Sequence, residues 1–174
     1  EQDNLRAALQ WALSAAQYTD AAWLMLAVSY YWSICGYGYE EARWLAQLLP
    51  HRHALALDQR VAILLTFYRV AFMLEEFQPM DLYMREIMRL LEERPHKLLH
   101  ATVWSFRAWT SPDSAQTDTS IEQGIALTRA ADEVPELGAE FGALADRDFV
   151  LAVSLLGYAA ILIDHGEVAR AAPI

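Results

Sequence analysis

Apolar side chains recur along most of this chain at steps of three and four residues, the spacing of one face of a helix. In residues 3–17, Leu5, Ala8, Leu9, Ala12, Leu13 and Ala16 fall on one side, Arg6, Gln10 and Gln17 lie off it, and Asp3 is the expected N-cap. Residues 21–35 are apolar nearly all round: Trp23, Leu26, Tyr30 and Ile34 form one stripe and Leu24, Val28, Tyr31 and Cys35 another, with Asp20 as the cap. A helix without a polar face must be covered on two sides. Gly36 is placed to end it in the left-handed conformation, and an amphipathic helix follows over 39–49, stopped by Pro50.

The alternation recurs. Residues 58–74 again carry apolar side chains on most faces, and 80–94 are amphipathic, with Met80, Met84, Ile87 and Leu91 in line after Pro79 at a first helical position. Pro95 opens a helix through Trp109. Residues 110–119 are polar and read as a loop, Thr119 or Ser120 caps a helix to about Asp132, 133–142 form another loop, and 144–164 make the last full helix. The turns sit near 37, 77, 114 and 166, so a leading helix is followed by three helix pairs and half of a fourth. Nothing dominant reads at period two. The expectation is an all-α chain of about eight helices, stacked as antiparallel pairs in a right-handed superhelix.

Composition supports a substantial core and narrows the function. The chain has 174 residues, is 55% hydrophobic and carries a formal net charge of -10, which argues against binding to phosphate backbones. Residues 111–174 hold 11 of its 23 acids but only 3 of its 13 basic residues. The apolar runs at 21–28 and 149–163 are too short to span a bilayer, and none of these residues reads as a signal peptide. The single cysteine, Cys35, has no internal partner, which fits a reducing compartment, the cytoplasm; its place in the most apolar helix predicts a buried thiol.

Catalytic and metal motifs are sparse. Gly36-Tyr37-Gly38 lacks both the third glycine and the preceding strand of a phosphate loop. His96 and His100 have a chelating i, i+4 spacing but no fixed carboxylate beside them, and His51-Arg52-His53 reads as a loop. Adjacent acids at Glu40-Glu41, Glu75-Glu76, Glu92-Glu93 and Asp132-Glu133 lie at helix ends and read as solvating. Neither a catalytic residue nor a cofactor or metal site is assigned, and the expectation is a non-enzyme. A small all-α enzyme or metal protein using His96, His100 and His165 is the alternative.

The aromatic residues are the remaining chemistry. Nine of the 14 Trp and Tyr residues lie before residue 45, more than one end of a core needs. They serve either as core between helices or as the wall of a ligand or partner groove, for which the candidates are Trp23, Tyr30, Tyr31, Trp32, Tyr37 and Tyr39.

Two resemblances bear on identity. Leu155-Leu156-Gly157-Tyr158-Ala159-Ala160, followed by His165-Gly166-Glu167-Val168-Ala169-Arg170-Ala171, resembles a tetratricopeptide unit; the other units match loosely. Asp3-Asn4-Leu5-Arg6-Ala7-Ala8-Leu9-Gln10-Trp11-Ala12-Leu13, then Trp32 to Gly36 and Glu41-Ala42-Arg43-Trp44-Leu45, resembles the start of the helical repeats in large bacterial signalling ATPases, among them LuxR-type transcription regulators. The match covers roughly residues 3–49, and the turn at 36–38 carries one extra residue. The resemblance implies one helical-repeat domain over residues 1–174, cut from a larger multidomain regulator. Its partner would be another protein or the parent's own ATPase module, and its effector a peptide or small molecule, with neither nucleic acid nor membrane contacted directly.

Overall fold

The computed structural model describes residues 2–75, 80–93, 97–110, 114–130, 147–164, 166, 167 and 171. Those residues form eight α-helices and one 3-10 turn, with no strand among them. The helices are α1 (Gln2–Ser14), α2 (Tyr18–Ile34), α3 (Gly38–Leu48), α4 (Leu57–Met73), α5 (Met80–Glu93), α6 (Lys97–Thr110), α7 (Ser114–Arg129) and α8 (Arg147–Asp164), and the 3-10 turn is Leu49–Ala54. The all-α expectation holds among the described residues. The described residues fall into two compact units, one ending at Glu93 and the other built from α6, α7 and α8.

In the first unit, α2 packs against α1, α3 and α4, and α4 packs against α5 as well. That arrangement puts neighbours on more than one side of each of the two helices that lack a polar face. Ten residues of α4 are buried, among them Val61, Ile63, Leu64, Leu65 and Val70, because neighbours approach it from several sides. By contrast α5 buries a single stripe, Met80, Met84, Ile87, Leu90 and Leu91, and leaves its other face to solvent.

The helix ends share one device. After α2, Gly36 takes φ +78°, its N–H donates to Ser33 O at 3.3 Å, and Tyr37 N–H donates to Trp32 O at 2.8 Å. These are the two bonds of a Schellman cap, which satisfy carbonyls the helix itself cannot. The same pair closes α1, where Gln17 N–H reaches Ala12 O at 2.8 Å, and α8, where Glu167 N–H reaches Leu162 O at 2.7 Å. The reversal residue is Gly166 after α8 but Ala16 after α1, at φ 55°, and Glu75 takes φ 59° after α4. Two successive reversals leave α1 and α3 running the same way.

Several local expectations are corrected. Asp3 and Asp20 lie inside the first turns of α1 and α2 rather than capping them. His51-Arg52-His53 belongs to the 3-10 turn, where the His51 ring stacks on Tyr18 at 4.1 Å and Arg52 binds Glu86 of α5. Residues 114–119, expected as loop, begin α7, because Ser120 and Ile121 are buried and Asp118 accepts a 3.0 Å hydrogen bond from Tyr158 of α8. Tertiary contact outweighs the low helix propensity of Ser, Thr and Asp there. Pro79, Pro95 and the segment 133–142 lie outside the described residues.

The second unit is held by small residues. Gly124 of α7 sits so close to α6 that a Cβ there would lie 3.2 Å from Ala101 O and 3.3 Å from Ser105 Oγ. Ser105 of α6 and Ser154 of α8 share a buried 2.6 Å hydrogen bond: one hydroxyl donates to the other, and the accepting one donates to the carbonyl four residues back on its own helix. Lys97, at the start of α6, donates to Ala130 O just past the end of α7, so the two helices run antiparallel.

Candidate interaction surface

The C-terminal half of α2 has two faces of opposite character. On one, Tyr30 and Tyr31 are each 51% exposed and Ile34 is 70% exposed, with Ala27 and Cys35 also open to solvent. Positions three and four apart on a helix are neighbours, so these side chains form one continuous surface. Tyr39, 75% exposed, follows on the first turn of α3.

The other face carries an ionic cluster. Glu41 of α3 is wholly buried, and its carboxylate accepts hydrogen bonds from Ser29 Oγ, from Ser33 Oγ at 3.2 Å and from Arg69 Nη2 at 2.6 Å. Arg69 also donates to both serine hydroxyls. One carboxylate thereby ties α2, α3 and α4 together. Burial pushes the Glu41 pKa above the usual glutamate value, against the opposing pull of Arg69, Ser29 and Ser33. A charge at this depth is tolerable only with its hydrogen bonds filled, and here they are filled.

Two further glutamates brace the unit through arginines. Arg6 of α1 grips Glu40 in a fork, Nε to Oε1 at 2.6 Å and Nη2 to Oε2 at 2.7 Å, which holds the Glu40 pKa below its usual value. Glu86 of α5 accepts from both Arg60 and Arg52. Burial pushes its pKa up, but the two arginines together push it further down, to a net value below the ordinary one.

The predicted groove residues separate into two groups. Tyr30, Tyr31 and Tyr39 are exposed, and Trp23 and Tyr37 are part-exposed. Trp32 is 2% exposed and belongs to the core, because its position on α2 faces the same side as Ser29 and Met25. Cys35, expected to be buried, is exposed, because it continues the outer Tyr31 stripe past the last turn of α2. Glu40 and Glu41, expected to be solvating, are the half-buried and buried halves of ion pairs. A signal for the cluster was present: Ser29 and Ser33 stand four apart inside an otherwise apolar helix, and buried hydroxyls need partners.

His96 and His165 lie outside the described residues, and His100 is part-buried on α6. Among the described residues no group of three or more His, Cys, Asp or Glu side chains is placed to hold a metal ion. No helix is long and apolar enough to cross a membrane among those residues. No family model, curated protein or solved structure matches the chain.

Proposed function

We propose that this chain is a non-catalytic recognition and scaffold module of an ATPase-linked transcription regulator that works in the cytoplasm. Its role would be mechanical: the module holds the parent's nucleotide switch in one state until a protein, peptide or small-molecule effector binds the two states unequally. DNA binding and ATP hydrolysis belong to other parts of the parent. The reading rests on one observation, the pairing of an exposed Tyr30, Tyr31 and Ile34 surface with a buried Glu41–Arg69 cluster on the other side of the same helix turns. Tyrosines on a rigid support supply apolar area with a polar tip at little entropic cost, which is what an interface uses.

The test uses Cys35, the single cysteine, which lies beside that surface. An environment-sensitive maleimide dye at Cys35 should change emission when the parent's purified nucleotide-binding module is added. The change should vanish in a Tyr30→Ala, Tyr31→Ala, Ile34→Ser variant whose circular dichroism is unaltered. An unchanged emission at saturating module, or an identical response from the triple variant, would overturn the assignment.

A further inference from the structure

A second surface, separate from the tyrosine face, lies between α1 and α3. Arg6, Ala7 and Gln10 of α1 and Arg43, Trp44 and Gln47 of α3 line an open groove of about 510 Å³. The same Arg-x-x-x-Gln spacing stands on both helices, which run in the same direction, so each presents an arginine and then a glutamine one turn on. None of the six lining residues is an acid, in a chain whose net charge is -10, although the Glu40 carboxylate is bonded to two of them, Arg6 and Trp44. We propose that this groove binds an extended acidic peptide segment of a partner protein.

Charge selects the ligand. Arg6 is already engaged by Glu40 and Asp3; Arg43 makes no ion pair within 4 Å among the described residues, and the charge acting on it is the Glu40 carboxylate that Arg6 holds. The Arg43 guanidinium lies 5.6 Å from the centre of the Trp44 ring, and the residue lines the groove, where a guanidinium can offer a carboxylate a bidentate bond. The Gln10 and Gln47 carboxamides each donate and accept, the chemistry that peptide N–H and C=O groups need.

Dimensions select the shape. One helical turn, from Arg43 to Gln47, advances about 6 Å. Alternate residues of an extended chain advance about 6.6 Å. A peptide lying along the groove therefore meets an arginine tier with one side chain and a glutamine tier with the next side chain on that face. The open side of the groove admits a chain passing through rather than enclosing a small molecule.

The probe is a fluorescein-labelled octapeptide of alternating glutamate and alanine, read by anisotropy on the 174-residue chain, with its glutamine counterpart as the neutral control. Binding should be about tenfold weaker for the glutamine peptide and for Arg43→Ala, should weaken as salt rises, and should be unchanged in Arg85→Ala on α5. Arg43 is exposed, so its variant should keep the parent's thermal midpoint. Four results would overturn the proposal: no binding at millimolar protein, equal affinity for both peptides, an Arg85→Ala loss matching that of Arg43→Ala, or displacement by free glutarate at the peptide's own concentration. Because Tyr30 and Tyr31 are untouched, the outcome is independent of the recognition face on α2.

Discussion

The Glu41 carboxylate on α3 receives the Arg69 guanidinium of α4 at 2.6 Å with no part of the glutamate side chain reaching solvent. Removing one partner from such a pair is costly, whereas removing both is often neutral. Glu41→Gln should lower the stability of the first unit by about 3 kcal/mol at about pH 4 and by less at neutral pH, since it disrupts the acceptor that Arg69, Ser29 and Ser33 share. The double variant Glu41→Leu, Arg69→Leu should recover most of that loss. Urea denaturation of the four proteins of the cycle gives the coupling; additive losses would show that the two side chains do not act as a pair.

Glu86 and Glu41 should give opposite pH profiles. Glu86 has a folded pKa below its usual 4.5, so its contribution is present above that value and is lost as pH falls through the folded value. Glu41 has a folded pKa above 4.5, so its contribution is complete below that value and is lost as pH rises through the folded value. The destabilisation caused by Glu86→Gln should therefore grow as pH rises through the acid range, and that caused by Glu41→Gln should shrink. Urea midpoints measured between about pH 3 and about pH 7 decide it, and parallel profiles would contradict both assignments.

Two of the helix reversals carry a side chain where glycine would be easier. Ala16 and Glu75 both take positive φ, a conformation that costs an L-residue about 1–2 kcal/mol. After allowance for the greater freedom of glycine in the unfolded chain, Ala16→Gly should stabilise by about 0.5–1 kcal/mol. Gly36→Ala should cost about 1 kcal/mol, since nothing lies within 4 Å of the added methyl and only the backbone objects. Thermal midpoints should move in opposite directions for the two variants.

Neighbouring aromatics on α2 should respond very differently to truncation. Trp32→Ala should cost about 3–5 kcal/mol through the cavity it leaves. Tyr31→Ala, on the exposed face, should stay within about 0.5 kcal/mol of the parent. Chemical denaturation of the two variants separates core from surface, and a tyrosine loss as large as that of Trp32 would remove the surface from consideration as a recognition face.

What the chain determined by itself is local. The period of the apolar residues places the eight described helices in order, because a helix face is written in positions three and four apart. Gly36 announces its own reversal, since it directly follows the last residues of α2 and a glycine adopts positive φ without strain. The uniform hydrophobicity of α2 and α4 states that each must be covered from more than one side, and both are.

What the tertiary structure decided is which side stays open and what becomes of the charges. The α2 sequence offers aromatics on every face. Only the positions of α1, α3 and α4 bury Trp32 while leaving Tyr30 and Tyr31 in solvent. Glu40 and Glu41 are adjacent acids in a first helical turn, identical by local rules, yet one is forked by Arg6 and the other is buried against Arg69. Their partners stand 34 positions earlier and 28 positions later in the chain. Burial of an ionised group depends on what is carried to it through space. A helical period says which way a side chain points from its own axis and nothing about what it meets there.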